Sequence, residues 1–314
     1  MASLNGLALC FLRRGNMIWI AIILLVLSAG LLRFGFRMAS FSMSIKPQTL
    51  EEAEKWQQEH GDISWYYGLE KTDYTVEGYQ GYLLHVQLVR NPGKTDKYVI
   101  ISHGYTDNRF GALKYADFYI NMGYNVIVYD LRGHGINKPD FCSYSIRESL
   151  DLIALIKDTR ERYPDVRILG IHGESLGAAT SIMCLKYKPE IDFVVADCPF
   201  SNITDVLKVG LKGMHLPQAT VYVASLCARL KYGYSYGEMR PIDSLKDNEV
   251  PVLFIHGARD SFILPYHSER MNEVCPRYSE VHLMPNAEHA ASVFADHDRY
   301  GVFLAEFLKN AGIE

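Results

Sequence analysis

The sequence predicts an α/β fold in which a mostly parallel sheet is flanked by helices. Short apolar strand patterns alternate with longer helical patterns from about residue 70 to about residue 310. A glycine-rich turn joins a strand to a helix at residues 173–177, and polar loops follow the strand patterns at 251–257 and 280–284. Strands that alternate with helices indicate βαβ units, whose functional groups collect at the carboxyl ends of the strands.

The elements around the central turn follow from local patterns. Thr49 and Glu52 form a capping box that begins a short helix ending near residue 59. Residues 74–79 and 82–89 alternate as antiparallel edge strands, and 97–102 and 124–129 are core strands. A helix is predicted over 145–163 and a further core strand over 191–196.

The turn at residues 173–177 has the pattern G-x-S-x-G around Ser175. A strand pattern at 166–172 precedes it and a helix pattern at 178–187 follows, a setting that strains the serine backbone and exposes its hydroxyl. Gly173 and Gly177 leave the space that this turn requires. The setting predicts a nucleophilic serine, and a glycine-rich turn with an incidental serine is the alternative.

Two downstream residues are the predicted partners of Ser175. Asp260 lies just beyond the strand at 251–257, and His289 lies in the loop after the strand at 280–284. The chain order serine, acid, histidine is the one that hydrolases with this strand–turn–helix setting use. A histidine takes the proton of the attacking serine, and an acid holds the imidazole in the required tautomer. Glu288 is the alternative acid, but a sequence neighbour rarely has the geometry to orient the ring.

A third feature is the predicted oxyanion hole. His103 and Gly104 follow the strand at 97–102 and let the backbone turn toward the nucleophile. We expect the backbone N–H groups of Tyr105 and Leu176 to stabilise a tetrahedral oxyanion by several kcal/mol. A plain tight turn at a strand end is the alternative.

Six short stretches carry a family resemblance: HGYTDN (103–108), YDLRGHG (129–135), GESLG (173–177), DCPF (197–200), HGARD (256–260) and AEHA (287–290). With these stretches the chain resembles α/β-hydrolase fold serine hydrolases and is most similar to bacterial membrane-anchored cell-surface hydrolases of the esterase and prolyl-oligopeptidase-like group. The resemblance implies an α/β-hydrolase fold with a mostly parallel eight-stranded sheet, flanking helices and a small helical cap. It does not specify a substrate.

The chain departs from the family pattern in the loop after the acid. The family usually has two residues and then Val-Pro, whereas here Ser261, Phe262, Ile263 and Leu264 precede Pro265. This change can shift the loop, but it leaves Asp260 in register with the preceding His-Gly pair.

The N-terminal region contains an uncharged apolar run at residues 17–32 that ends at Arg33. The run is slightly shorter than the roughly 20 residues of a spanning helix, and Phe34 and Phe36 supply the rest. We predict an uncleaved transmembrane anchor at 17–36. A cleaved signal peptide is the alternative, but no well-placed small-x-small site follows the run.

The orientation of this anchor is not set by its flanking charges, which are nearly balanced. The family resemblance implies an N-terminus inside the cell and a catalytic domain outside the cytoplasm. The six cysteines form no CxxC pair and are expected to be buried free thiols, which favours a reducing compartment instead.

The anchor divides the chain into four predicted parts: a short tail at 1–16, the anchor at 17–36, a linker with a short helix at 37–68 and a hydrolase domain at 69–314. Apolar residues at helical spacing over about 200–240 predict an inserted cap above the Ser175 end of the sheet, with extra core helices as the alternative. Leu216 and Tyr222 are expected to contact the acyl group. Because no catalytic element falls within residues 1–40, we expect these residues to be dispensable for folding and activity.

The composition argues against several functional classes. A net charge of −4 without basic runs argues against nucleic-acid binding. The chain has neither a Walker-type loop nor a Rossmann glycine fingerprint, and it shows no metal-ligand spacing. We therefore expect neither a cofactor nor a metal.

The predicted function is that of a membrane-anchored serine hydrolase that cleaves a small-molecule carboxylic ester through an acyl-enzyme intermediate. A thioesterase or an acyl-peptide hydrolase uses the same three side chains and stays open as an alternative. A non-catalytic binding protein on a hydrolase fold is the alternative from another class.

Overall fold

The structure is a computed structural model that describes residues 2–313, with side chains from Met17 onward. The side chains of the predicted tail at 1–16, including Cys10, lie outside the described residues.

The strands of the described residues form one eight-stranded sheet. They are β1 (Lys71–Glu77), β2 (Leu83–Val89), β3 (Lys97–Ser102), β4 (Asn125–Tyr129), β5 (Ile168–Glu174), β6 (Phe193–Asp197), β7 (Val252–Gly257) and β8 (Ser279–Met284). Their spatial order is β1-β2-β4-β3-β5-β6-β7-β8. The pairs β1–β2 and β2–β4 are antiparallel, and all the others are parallel. The predicted mostly parallel sheet is therefore confirmed.

The helices lie between these strands and at both ends of the chain. They are α1 (Ala2–Met43), α2 (Leu50–His60), α3 (Ser64–Tyr67), α4 (Leu113–Asn121), α5 (Ile146–Arg162), α6 (Leu176–Cys184), α7 (Ile203–Gly213), α8 (Thr220–Tyr232), α9 (Tyr266–Val274), α10 (Ser292–Ala295) and α11 (His297–Asn310). Short 3₁₀ turns cover Tyr79–Gly81, Leu185–Tyr187, Tyr236–Glu238 and Pro241–Leu245.

Both faces of the sheet are buried. In β3 the side chain of Ile100 packs into one apolar cluster, whereas Val99 and Ile101 pack into a second. Helices α5 and α6 cover the first face, and α4 and α11 cover the second. Burial on both faces is typical of parallel strands. Because β5, β6, β7 and β8 run parallel, the loops that follow them emerge side by side at one edge of the sheet.

The structure corrects the prediction of a linker at residues 37–68. Helix α1 continues without a break to Met43, and both Ala39 and Met43 are fully buried in the core. The Cys142 N–H donates to the Met43 carbonyl oxygen at 2.9 Å. The reason is that small and apolar residues recur at helical spacing after Arg33, so one face of the helix fits against the domain. The burial of Ala39 argues against the expectation that residues 1–40 are dispensable for folding.

The cap segment at about 200–240 forms α7 and α8. Val206 and Leu211 of α7 and Val221 and Ala224 of α8 are buried in the first apolar cluster. Both helices also border a cavity that contains Ser175. They therefore belong to the core on one side and cover the Ser175 end of the sheet on the other.

Candidate active site

Ser175 occupies a strained turn between β5 and α6. Its φ of 51° and ψ of −108° lie outside the regions that non-glycine residues favour. Such a conformation costs of order 1–3 kcal/mol and persists only where the surroundings fix it. Here the Ser175 N–H donates to the Asp197 carbonyl oxygen at 2.8 Å, and the Ala179 N–H donates to the Ser175 carbonyl oxygen at 2.9 Å.

The two glycines of the turn are required by close approach of backbone. A Cβ on Gly177 would lie 2.2 Å from the Ser102 carbonyl oxygen, and one on Gly173 would lie 2.3 Å from the Gly177 carbonyl carbon. Neither position can take a side chain without movement of β3 or α6. The prediction that both glycines provide space is confirmed.

The structure brings Ser175, His289 and Asp260 together in one hydrogen-bonded line. The Ser175 Oγ lies 3.0 Å from His289 Nε2, and His289 Nδ1 lies 2.7 Å from Asp260 Oδ2. A carboxylate accepts only, so Nδ1 carries a proton and Nε2 is the free acceptor for the serine hydroxyl. Among the described residues, the ring nitrogens of His289 bond Ser175 and Asp260 and not Glu288.

Asp260 is held as an anion by the residues around it. Burial alone would raise the pKa of this carboxyl, but hydrogen bonds from His256 and His289 outweigh burial and hold the pKa well below its usual range. The second oxygen, Oδ1, accepts the Phe262 and Ile263 N–H groups at 2.9 and 2.8 Å. The longer loop before Pro265 thus folds back onto the carboxylate and keeps it beside His289.

The two predicted oxyanion donors border the same cavity as Ser175. Within the described part of the chain, neither the Tyr105 N–H nor the Leu176 N–H donates to a protein acceptor. Both groups are therefore free to donate to a ligand oxygen that approaches Ser175.

The His103 side chain orients the first of these donors, a role that the sequence did not indicate. Burial lowers the pKa of His103 to about 4, so the ring is neutral. Its Nε2 accepts the Leu131 N–H at 2.9 Å, and its Nδ1–H therefore donates to the Gly104 carbonyl oxygen at 2.8 Å. In a trans peptide the Tyr105 N–H points opposite to the Gly104 carbonyl. Fixing that carbonyl consequently fixes the direction of the donor.

A buried charged cluster beside Ser175 is a second feature that no sequence motif indicated. Glu174 pairs with Lys114 and accepts the Tyr115 hydroxyl at 2.6 Å, and the same hydroxyl lies 3.0 Å from Asp197. Burial, followed by the charge of Glu174, raises the pKa of Asp197 to about 6. Glu174 is the variable residue of the G-x-S-x-G pattern, and its partner Lys114 is distant in sequence. The pattern alone therefore does not predict this cluster.

Three side chains near the serine offer ligand atoms within 4.8 Å of one another: Cys198, Asp260 and His289. A metal would compete with the hydrogen bond that joins Asp260 to His289. Burial raises the pKa of the Cys198 thiol well above its ordinary value, and a protonated thiol is a poor ligand. The donor chemistry of this group does not fit a resident metal.

A largely apolar cavity of about 600 Å³ opens at Ser175. Helix α7 supplies much of one wall of this cavity, and the end of α1 supplies another. The contribution of α1 was not predicted from the sequence. The principal lining residues are Met38, Phe41, Ser42, Tyr105, Ser175, Ile203, Val206, Leu207, Gly210, Leu211, Met214, Val221 and Ala224. The site therefore combines a polar reacting end with a long apolar compartment.

Known proteins match the chain by sequence. The family described as serine aminopeptidase, S33, matches residues 93–240. The uncharacterized protein YqkD of Bacillus subtilis is 30% identical over 290 residues, which cover 90% of this chain and 95% of that protein. The uncharacterized membrane protein YNL320W of Saccharomyces cerevisiae is 23% identical over 239 residues, or 73% of this chain and 77% of that protein.

The fold also matches solved structures. The Pyrococcus furiosus esterase Pf2001 superposes with a TM-score of 0.66 at 24% sequence identity, over 85% of this chain and 98% of that one. At this identity the match shows the fold alone.

Proposed function

This chain belongs to the α/β-hydrolase family of serine hydrolases, and we propose that it cleaves carboxylic esters of small molecules through an acyl-enzyme intermediate. The observation that carries the proposal is the line from Ser175 through His289 to Asp260 at the mouth of an apolar cavity. A base at 3.0 Å from the hydroxyl is within the reach that proton transfer requires.

The proposed reaction has two steps. Ser175 Oγ bonds to the ester carbonyl carbon while its proton passes to His289 Nε2, and the oxyanion accepts hydrogen bonds from the Tyr105 and Leu176 N–H groups. The carbon–oxygen bond to the alcohol then breaks, and the alcohol takes the proton from His289. In the second step water attacks the acyl-enzyme by the same route and releases the carboxylic acid and free Ser175.

The anionic state of Asp260 supports its role in both steps. Because its pKa lies well below the usual range, the carboxylate is charged at neutral pH. A charge in this position stabilises the imidazolium that forms on His289 during attack, and it keeps the ring in the tautomer that leaves Nε2 free.

The same three residues also serve thioesters and acyl peptides. An acyl peptide needs polar partners for its backbone, and the cavity is lined mostly by apolar side chains. The lining therefore favours an acyl chain on the acid side of the bond, in an oxygen ester or a thioester.

The chain is proposed to sit in a membrane through α1. Residues Met17–Met43 form a helix long and apolar enough to cross a bilayer, and the apolar stretch is exposed. Burial of Ala39 and Met43 supports an uncleaved anchor over a signal peptide, because removal of the helix would uncover the core. The proposed orientation places the catalytic domain outside the cytoplasm. Full-length protein should stay with membranes after washing with alkaline carbonate, whereas a cleaved protein would be released.

Turnover of an octanoate ester by the full-length protein in detergent tests the proposed activity. Ser175→Ala should lower kcat by several orders of magnitude. The matched control is Ser149→Ala, since Ser149 is also buried but its hydroxyl bonds only within α5. Undiminished turnover by purified Ser175→Ala would refute the nucleophile, and no turnover by the parent protein with any ester would favour a non-catalytic binding protein.

A further inference from the structure

Helix α1 has two different surroundings along its length. Its apolar residues from Met17 to Leu32 are exposed, whereas Ala39 and Met43 are fully buried in the domain. Between them, Met38 and Phe41 border the cavity of Ser175. One continuous helix therefore leads from the apolar surface proposed to lie in the bilayer to the wall of the active-site cavity.

Helix α8 runs beside α1 in the same direction. The Cys227 thiol contacts the Leu32 carbonyl oxygen, and a Cβ on Gly35 would lie 2.8 Å from both Cys227 and Val223. Further along both helices, Lys231 Nζ donates to Ser40 Oγ at 2.7 Å. The start of α8, and with it the turn from α7, consequently lies level with the end of the apolar run of α1.

The cavity extends from Ser175 toward that turn. Its lining along α7 begins at Ile203, near the nucleophile, and continues through Gly210 to Met214 at the end of the helix. At a rise of about 1.5 Å per residue, this wall is about 16 Å long. Met214 lines the cavity and is also 48% exposed, so its side chain separates the far end of the cavity from the outer surface.

Apolar side chains also cover part of the outer surface. On α8, Tyr222, Leu226 and Leu230 follow one another at four-residue spacing and are 61%, 54% and 65% exposed. Side chains spaced in this way share one face of a helix. Exposed Arg33 and Arg37 follow the apolar run on α1, and exposed Lys212 lies in the last turn of α7; such cations can meet anionic headgroups. The Tyr222 end of this face adjoins the apolar run of α1, and a bilayer already entered by α1 is the surface that would cover it.

We propose that the substrates are lipid esters with long acyl chains, which enter the cavity from the bilayer beside the turn between α7 and α8, and that the end of α1 forms part of the acyl-binding wall. The proposal rests on the ester hydrolysis proposed above. The acyl chain lies along α7 toward the membrane, and the ester carbonyl lies at Ser175. The alcohol departs near His289 and Phe262, where Phe262 is exposed to water.

Two glycines of α7 provide a matched test of the acyl wall. A Cβ on Gly210 or on Gly213 would meet nothing within 4 Å, but only Gly210 lines the cavity. Gly210→Leu should fill the far part of the cavity and lower the ratio of palmitate to acetate ester hydrolysis about tenfold or more, since each buried methylene adds to binding. Gly213→Leu should leave this ratio within about twofold of the parent value.

The assay uses full-length protein in vesicles of phosphatidylcholine and phosphatidylglycerol, with para-nitrophenyl acetate, octanoate and palmitate. Leu226→Glu on the exposed face of α8 should lower palmitate hydrolysis in vesicles more than hydrolysis of dissolved acetate ester. Val302→Glu, on an exposed site of α11, is the control for an added charge.

The outcomes separate this proposal from the one on which it rests. If acetate ester is cleaved through Ser175 but Gly210→Leu and Gly213→Leu give the same chain-length preference, the acyl site is wrong and the hydrolase stands. If Leu226→Glu and Val302→Glu act alike on palmitate, entry from the bilayer is wrong. If no ester is cleaved and Ser175→Ala changes nothing, the hydrolase proposal itself fails.

Discussion

The two ends of the cavity are built by different means. At the reacting end, Ser175, His103 and Asp260 are fixed by hydrogen bonds and by backbone packed too closely for a side chain at Gly173 or Gly177. At the far end, the walls are mostly apolar side chains of α1, α7 and α8, and hydrogen bonds there, such as Lys231 Nζ to Ser40 Oγ, are few. Substitutions at the first end should therefore change the rate of the chemical step, whereas substitutions at the second end should change which substrates are accepted.

The largest effect is expected at Asp260. Asp260→Asn should lower kcat by about 10⁴, because the amide would favour the wrong tautomer of His289. The fold should persist, since an amide oxygen can still accept the Phe262 and Ile263 N–H groups. Glu288→Gln is the control, and kinetics with a soluble ester measures both. A mild effect of Asp260→Asn beside a severe one of Glu288→Gln would show that the acid is misassigned.

Truncation of α1 tests the comparison between the two ends of the cavity, because this helix contributes to both of them. Removal of residues 1–43 should destabilise the domain by more than about 3 kcal/mol, since it uncovers the core around Met43. It should also loosen the oxyanion loop, because the Tyr105 hydroxyl donates to the adjacent Ser44 carbonyl oxygen at 2.8 Å. Removal of residues 1–32 should leave a folded domain. Thermal unfolding compares the two, and equal melting temperatures would contradict the assigned packing.

The sequence predicted the reacting end well and the far end poorly. Ser175, Asp260 and His289 each follow a strand whose pattern is local, so their placement at one sheet edge could be inferred. The wall from α1 could not, because Met38 and Phe41 continue the apolar pattern of the membrane run and nothing local marks where packing begins. Leu216 and Tyr222 are the residues that the sequence analysis expects to contact the acyl group, but neither lines the cavity, and Tyr222 is 61% exposed.

A smaller effect is expected at His103, which bonds the peptide of the proposed oxyanion donor Tyr105 and does not line the cavity. His103→Ala should lower kcat by about 10- to 100-fold with little change in KM, since a misdirected Tyr105 N–H affects the transition state most. His267→Ala is the matched control, because it removes another buried imidazole whose hydrogen bonds go to Ser201 and not to the Gly104–Tyr105 peptide. Equal kcat values for the two variants would mean that His103 has only a structural role.

The smallest effect is a change in the pH dependence of stability at Asp107. Burial, followed by the charge of Glu174, raises the pKa of Asp107 from 3.8 to about 6. The folded protein therefore binds this proton more tightly than the unfolded chain, and the stabilisation present below pH 4 is lost as the pH rises through about 6. The free energy of unfolding of Asp107→Asn should therefore fall less than that of the parent as the pH rises from 4 to 7. Thermal unfolding should show no such trend for exposed Asp298→Asn.

Mapping the site of a fluorophosphonate probe on the full-length protein tests the central claim most directly. Such a probe forms a covalent bond only with a serine whose hydroxyl is activated by a base. Peptide mass spectrometry should find one label per chain, on Ser175, with no label in Ser175→Ala and slow labelling in Asp260→Asn. A label on another residue, or no label on a chain that still cleaves esters, would contradict the account.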